Sequence, residues 1–286
     1  MRLSNTCMCI IRKKLPNLIY RQTFQRLISP FLSVFDSIKS GHRKILTVTN
    51  DTDITVELLY YLTFFKQHGL EELWILAGRG ESSSRYVPLH LLHSRMGPAL
   101  CSVLPALYTL TGCDSTSKIG TKKAALEVNA EALLSEFGKS PILSPSVLEN
   151  AEKFLVNVIK KKSLSTNFTD LRKEMYHSSM STSHLNLIPT TQGLQPHIER
   201  ACYNTYVITH LLNTECEDIS STAYGYKLTN GLLTPTKNWR KVEAKWLVTC
   251  KCLKCARVTC PCRAASVKCV QFCGCKSNVT CKNPNV

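Results

Sequence analysis

Nine of the fifteen cysteines in this 286-residue chain fall between Cys250 and Cys281, in the order Cys-x-Cys-x2-Cys-x4-Cys-x-Cys-x6-Cys-x3-Cys-x-Cys-x5-Cys. The set is Cys250, Cys252, Cys255, Cys260, Cys262, Cys269, Cys273, Cys275 and Cys281. A triangle of tetrahedral Zn²⁺ ions presents about twelve ligand positions, which these thiolates fill if six bind one metal each and three bridge two. The pairs Cys250/Cys252, Cys260/Cys262 and Cys273/Cys275 direct neighbouring sulfurs to different metals of such a triangle. A disulfide knot of the secreted kind is the competing reading. It fits less well, because nine is odd and no cleavable signal peptide is expected at the start of the chain. The other cysteines (Cys7, Cys9, Cys101, Cys113, Cys202 and Cys216) are scattered as reduced thiols would be. A redox Cys-x-x-Cys at Cys252–Cys255 fits poorly inside the longer array. The expected cofactor is structural zinc, about three ions per chain.

This cysteine segment resembles the CXC domain of tesmin-like proteins and of the male-specific-lethal ubiquitin ligase. It is also similar to the nine-cysteine pre-SET module of histone methyltransferases. The ending Cys281-Lys-Asn-Pro284 is in the same style. The resemblance implies binding to DNA. Where tesmin-type modules carry an aromatic residue, this chain has Leu253, Lys254, Ala256 and Val258, which departs from that mode of minor-groove recognition.

Charge points to the same class of partner. The formal net charge is +16 and the pI about 9.3, so an acidic polymer is expected. Between Cys250 and Lys282 stand Lys251, Lys254, Arg257, Arg263, Lys268, Lys276 and Lys282, with no Asp or Glu. Nine thiolates with three Zn²⁺ would subtract from these cations and leave the module at about +4. The same lysines would also serve simply to keep a small module soluble. No run of eighteen or more apolar residues occurs, so no membrane partner is expected. The basic start, with Arg2, Arg12, Lys13, Lys14, Arg21 and Arg26 before the first acid at Asp36, reads as a mitochondrial presequence or as the ragged start of an incomplete chain. The nucleus is the expected location and the mitochondrion the alternative.

The body of the chain reads as α/β. Ile45–Val48 is a short apolar strand ending in Asn50-Asp51-Thr52-Asp53, and a helical stretch from Ile54 to Phe65 follows. Leu73–Leu76 is a second strand, followed by the Ala77–Gly80 loop. Pro98–Leu110 is a helix running into Gly112-Cys113-Asp114, and Lys118–Ala124 begins another. Asp51 taken alone reads as a helix N-cap. Clustered carboxylates, however, repel one another unless a cation lies between them, and hard Mg²⁺ favours oxygen ligands. Glycine at 120 permits close approach of a phosphate to backbone N–H groups at a helix start. Glu57, one turn after Asp53, is read as facing solvent, and His90 and His93 as packing or surface residues.

In this order the motifs resemble the second half of a flap-endonuclease-type PIN domain, over roughly residues 40–137, in a form seen in invertebrate proteins of mobile-element character. The resemblance implies metal-binding roles for Asp51, Asp53 and Asp114, with Mg²⁺ as cofactor. It implies a DNA-backbone role for Lys118, Gly120, Thr121, Lys122 and Lys123. Further acids that the family carries upstream are missing here, where Arg21–Lys39 offers only Asp36. The first strand of the family is also expected to be absent.

Downstream, Val147, Leu148, Ala151, Phe154, Leu155 and Val158 recur at helical spacing and end in Lys160–Lys162, read as a helix end or a nuclear-import signal. Ser178–Ser183 is a polar loop and Tyr203–Leu212 a helix packing on the body. Tyr224–Pro235 is a hairpin around Asn230-Gly231. The expected fold class is thus a partial PIN-like parallel sheet with helices plus a small irregular zinc module. Its expected parts are the core at 40–137, a helical extension and hairpin at 138–233, a linker at 234–249 and the module at 250–286. Three functions compete: nucleic-acid or chromatin binding with a degenerate nuclease body, a Mg²⁺-dependent structure-specific endonuclease, and a protein-interaction scaffold. The first is preferred, with DNA and chromatin proteins as partners and the body inactive as an enzyme.

Overall fold

A computed structural model describes residues 18–78, 83–178, 188–212, 221–230, 232–236, 248–270 and 273–284. The basic residues Arg2, Arg12, Lys13 and Lys14, the end of the Ala77–Gly80 loop, most of the Ser178–Ser183 loop, Gly231 and most of the 234–249 linker lie outside the described residues. The chain divides into two compact units, Met1–Lys162 with Gln195–Thr236, and Ser163–Leu194 with Lys237–Val286.

The first unit is mixed α/β. Helix α1 (Leu18–Lys39) leads into β1 (Lys44–Val48), α2 (Thr52–Gln67) and β2 (Glu72–Ala77). β1 and β2 pair in parallel with Lys44 opposite Glu72 and Val48 opposite Leu76. This is the βα unit that the sequence led us to expect. A short strand that sequence patterning did not reveal, β3 (Arg85–Pro88), pairs antiparallel with the far side of β2, giving the order β1-β2-β3. Helices α3 (Leu89–Met96) and α4 (Pro98–Thr111) follow, then the short α5 (Lys122–Leu126) and α6 (Ala130–Leu134), and α7 (Pro145–Ile159). Past α8 (Phe168–Ser178), which belongs to the second unit, come α9 (Thr191–Thr209), in the first unit from Gln195 on, and the hairpin β4 (Tyr226–Thr229) with β5 (Leu232–Pro235).

The core forms where α1 and α2 meet the sheet. Leu58, Leu62 and Phe65 of α2, Leu73 of β2 and Leu89 of α3 are fully buried, and Phe31 of α1 packs its ring 4.7 Å from Tyr61 and 5.2 Å from Phe65. Each such side chain stabilises the fold by roughly 1.5–3 kcal/mol relative to exposure. The opposite face of the sheet is barer: Leu46 and Val48 of β1 and Tyr86 of β3 are exposed.

α7 starts where Ser144 caps it by accepting from the Val147 N–H, with Pro145 in the first turn. Its buried face is the expected one, including Ala151, Phe154, Leu155 and Val158. The expected Tyr203–Leu212 helix is the second half of α9, which begins twelve residues earlier and ends at Thr209. It packs back on the body through polar as well as apolar contacts. The Tyr61 hydroxyl donates to Ile208 O (3.0 Å) and accepts from Leu211 N (3.1 Å), and the Thr109 and Thr205 hydroxyls meet at 2.8 Å. His197 Nε2 lies 2.9 Å from Leu110 O. The Arg200 guanidinium donates to Gly225 O and Thr236 O, which pins the hairpin. No helix among the described residues is long and apolar enough to cross a membrane.

Candidate metal centre and acidic pocket

Among the described residues of the cysteine-rich tail no aliphatic side chain is fully buried, and Val248, Val267 and Val270 are half-buried against the sulfurs. Among its described residues the buried groups are Cys250, Cys255, Cys260, Cys262, Cys269, Cys273 and Cys275, with Asn283, while Cys252 and Cys281 are half-buried. Leu253 and Val258 are each more than 70% exposed, at 75% and 77%. A segment this short does not normally hold itself together by apolar burial and needs disulfides or a metal. None of these cysteines is joined in a disulfide.

Local sequence brings the sulfurs inward. Cys260 sits at the N-cap of a single helical turn, α10 (Pro261–Ala264), which carries Cys262. Gly274 N–H donates to Cys250 O at 2.7 Å, and Lys282 N–H to Lys254 O at 2.7 Å, so the chain folds back across its own start. Glycine is required at 274, because a Cβ there would stand 2.6 Å from Lys251 O. Asn283 donates to Val267 O and to the Cys269 sulfur (3.3 Å).

The resulting sulfur spacings suit a tetrahedral metal. Cys250 lies 3.4 Å from Cys255 and 4.0 Å from Cys269, Cys255 lies 3.6 Å from Cys269, and Cys262 lies 3.6 Å from Cys273. Four thiolates held about 2.3 Å from one zinc ion have S···S edges near ~3.8 Å. Three overlapping quartets have all sulfurs within 4.8 Å of one another: Cys250/Cys252/Cys255/Cys260, Cys250/Cys262/Cys269/Cys273 and Cys250/Cys255/Cys269/Cys275. Cys281, the remaining cysteine of the array, interacts with Cys255, Cys269 and Cys275. The cluster could hold a metal ion, and its all-sulfur donor set fits zinc. Around it Lys251, Lys254, Arg257, Lys268, Lys276 and Lys282 are exposed, while Arg263 turns inward to donate to Ala256 O.

The first unit holds the aspartates. A pocket of about 510 Å³ is lined by Asp51, Asp53 and Asp114 together with Thr49, Asn50 and Tyr108, among others. Asp51 is the N-cap of α2, its Oδ1 accepting from Asp53 N–H at 3.0 Å. Asn50 Oδ1 accepts from Gly78 N–H and ties the β1 end to the β2 end. Tyr108 of α4 donates to Asp53, and burial first, then that carboxylate, pushes the phenol far up. Tyr108 was not visible as a site residue in the sequence, although its position one turn before Gly112-Cys113-Asp114 was a usable signal.

Glu57 corrects an expectation. It does not face solvent: it is fully buried, and neither carboxyl oxygen has a hydrogen-bond partner among the described residues. Burial, then the charges of Asp51 and Asp53, hold its carboxyl well above the ordinary carboxylate range. The cause is α2 itself, which buries Ile54, Val56, Leu58, Leu59, Tyr61, Leu62 and Phe65 around nearly its whole circumference. His93 is buried with Nε2 3.1 Å from Thr63 Oγ1, and the His90 ring packs 5.2 Å from Trp74, so both do packing work.

The lysine turn is split in orientation. Lys122 Nζ turns inward, donating to Gly112 O (2.6 Å), Tyr108 O (3.1 Å) and Thr111 Oγ1 (3.2 Å), and lies 3.7 Å above the Tyr108 ring. Thr121 caps α5 by accepting from Ala124 N–H. Gly120, at φ +66, faces Val158, whose Cγ1 would stand 2.5 Å from an added Cβ, so packing alone demands glycine there. Lys118 and Lys123 remain exposed.

Comparison with protein-family models, with curated proteins and with solved structures returned no match. What stands is a mixed α/β body with an acidic pocket and a cysteine cluster that could hold a metal.

Proposed function

We propose that the tail is a three-zinc, nine-cysteine centre of CXC type and that the chain uses it to bind DNA or chromatin. In this reading Cys250, Cys252, Cys255 and Cys260 hold one ion, Cys250, Cys262, Cys269 and Cys273 a second, and Cys255, Cys269, Cys275 and Cys281 a third. Cys250, Cys255 and Cys269 are then the bridging thiolates. The observation that carries it is the overlap of the cysteine quartets on those shared sulfurs. Zinc here supplies no reaction. It orders the loops that present Lys251, Lys254, Arg257, Lys268, Lys276 and Lys282 to phosphates, whose neutralisation releases counterions. The body is a PIN-like domain that has lost part of its acid set, and the nucleus is the place where such a chain would act.

Elemental analysis of the purified chain tests the centre: about three zinc per chain are expected, with the nine tail thiols protected from alkylation until chelation. Fewer than two metals per chain, or paired oxidised thiols, would sink it. Duplex binding that weakens steeply with salt supports the nucleic-acid reading. Its absence in a zinc-loaded chain leaves a protein-interaction scaffold.

A second reading has an observation of its own. Asp51, Asp53 and Asp114 line one pocket, where a Mg²⁺-dependent endonuclease would hold its metal and activate water for attack on phosphorus. The buried Glu57, whose carboxyl feels the charges of Asp51 and Asp53, adds a fourth acid that a cation would draw into its ionised form. Cleavage of flap DNA in Mg²⁺ or Mn²⁺ that vanishes in Asp51→Asn/Asp114→Asn would establish this activity. Binding without cleavage supports the degenerate body.

A further inference from the structure

The run Lys160–Lys162 closes α7, where cations are favoured by the helix dipole and need no further role. In the folded chain these lysines have company from more than thirty residues upstream. Gly120 packs directly on Val158, the penultimate residue of α7, and so sets the Lys118–Lys123 turn beside the lysine run. Lys161 reaches the Glu127 carboxylate just past α5 at 3.2 Å. On its other side the turn is fastened to the end of α4, where Ile119 N–H donates to Thr111 O at 3.1 Å, next to Asp114 of the acidic pocket. Lys118, Lys123, Lys161 and Lys162 are exposed and Lys160 half-buried.

Lys161 is answered by Glu127, whereas Lys118, Lys123 and Lys162 have no ion-pair partner among the described residues. Gathering such cations raises the local potential, which costs folding energy unless an anion answers it. A lone phosphate would be served by one or two lysines. Several lysines drawn together from a turn and a helix end suit a chain of phosphates. We infer that Lys118, Lys123 and Lys160–Lys162 form one surface for the phosphate backbone of duplex DNA, read through charge and without base contacts. The inference rests on the reading of this chain as a nucleic-acid binder. It adds a contact on the α/β unit, separate from the cysteine cluster.

The test is fluorescence anisotropy of the full, zinc-loaded chain with a labelled mixed-sequence duplex of about twenty base pairs, over roughly 0.05 to 0.3 M salt. In Lys161→Gln/Lys162→Gln the salt slope should become shallower by about 2 and affinity near 0.15 M salt should fall about tenfold. Lys118→Gln/Lys123→Gln should do the same. Lys161→Arg/Lys162→Arg keeps the charge and should bind like the parent chain, which separates loss of charge from any change in folding. If Lys161→Gln/Lys162→Gln binds with unchanged affinity and slope while Lys251→Gln/Lys254→Gln in the tail abolishes binding, this surface is wrong and the zinc-module reading survives. If the parent chain fails to bind the duplex even at the lowest salt, both fall together.

Discussion

The α/β body and the cysteine tail solve the same problem with different materials. The body hides Phe31, Leu58, Leu62, Phe65 and Leu73 from water, and aromatic and aliphatic contact does the ordering. The tail hides sulfur and little else, and leaves Leu253, Val258 and Val279 in solvent. Apolar burial is spread over many side chains, so the body tolerates small losses. A sulfur cluster concentrates its stability in a few shared atoms, so it does not. On the proposed reading, one chain then contains a part governed by temperature and packing and another governed by metal supply and thiol chemistry.

The largest effect that would break this contrast is chelation. Withdrawing the metal should unfold the tail, a loss on the order of 10 kcal/mol, while the melting transition of the body stays where it was. Calorimetry with thiol alkylation reads both at once, and a tail that keeps its thiols protected without metal would erase the distinction. The contrast sharpens by comparing Cys250→Ser with Cys252→Ser. The first removes a sulfur common to all three quartets and should empty at least two positions, whereas the second should weaken one.

Acid probes the body next. Burial, followed by the nearby Arg200 charge, lowers His197 to about 4 from an ordinary value of 6.5, against the opposing hydrogen bond to Leu110. The unfolded chain therefore takes up the proton first. The stability is fully present above pH 6.5 and is lost as pH falls towards 4, by roughly 3 kcal/mol in all. Thermal melts of the body in His197→Gln should show a flatter pH dependence through that window. A profile as steep as the parent's would remove His197 as the cause.

The smallest effect concerns Glu57. Its folded carboxyl is held above the unfolded value, so its contribution to stability is present at low pH and is lost as pH rises above about 4.5. Glu57→Gln should raise the melting temperature of the cation-free body by a few degrees at neutral pH and by less near pH 4. An unchanged or lower melting temperature at neutral pH would mean that the carboxyl has a compensating partner in solution.

Much of the scaffold was legible because patterning dominates there. The β1–α2–β2 unit, α4, α7 and the β4–β5 hairpin follow from apolar periodicity and turn residues. β3 escaped because Arg85-Tyr-Val-Pro is too short and too polar to alternate visibly, and α8 because its polar surface hides the two buried anchors Phe168 and Leu171. The cysteine array was readable as a group that could hold a metal, since that chemistry is carried by spacing. Glu57 was misread because local sequence does not show how many sides of α2 are covered. The meeting of Lys118–Lys123 with Lys160–Lys162 depends on the Gly120–Val158 contact, a tertiary fact with no trace in either segment alone.

The hydroxyl of Tyr61 closes on Ile208 and Leu211, almost 150 positions further along the polypeptide. During synthesis, then, the first strands and helices leave the ribosome with a polar group that has no home until α9 has emerged. Nascent chains stalled before that point should be sticky and protease-sensitive, and an expression fragment cut at residue 137 would share their fate.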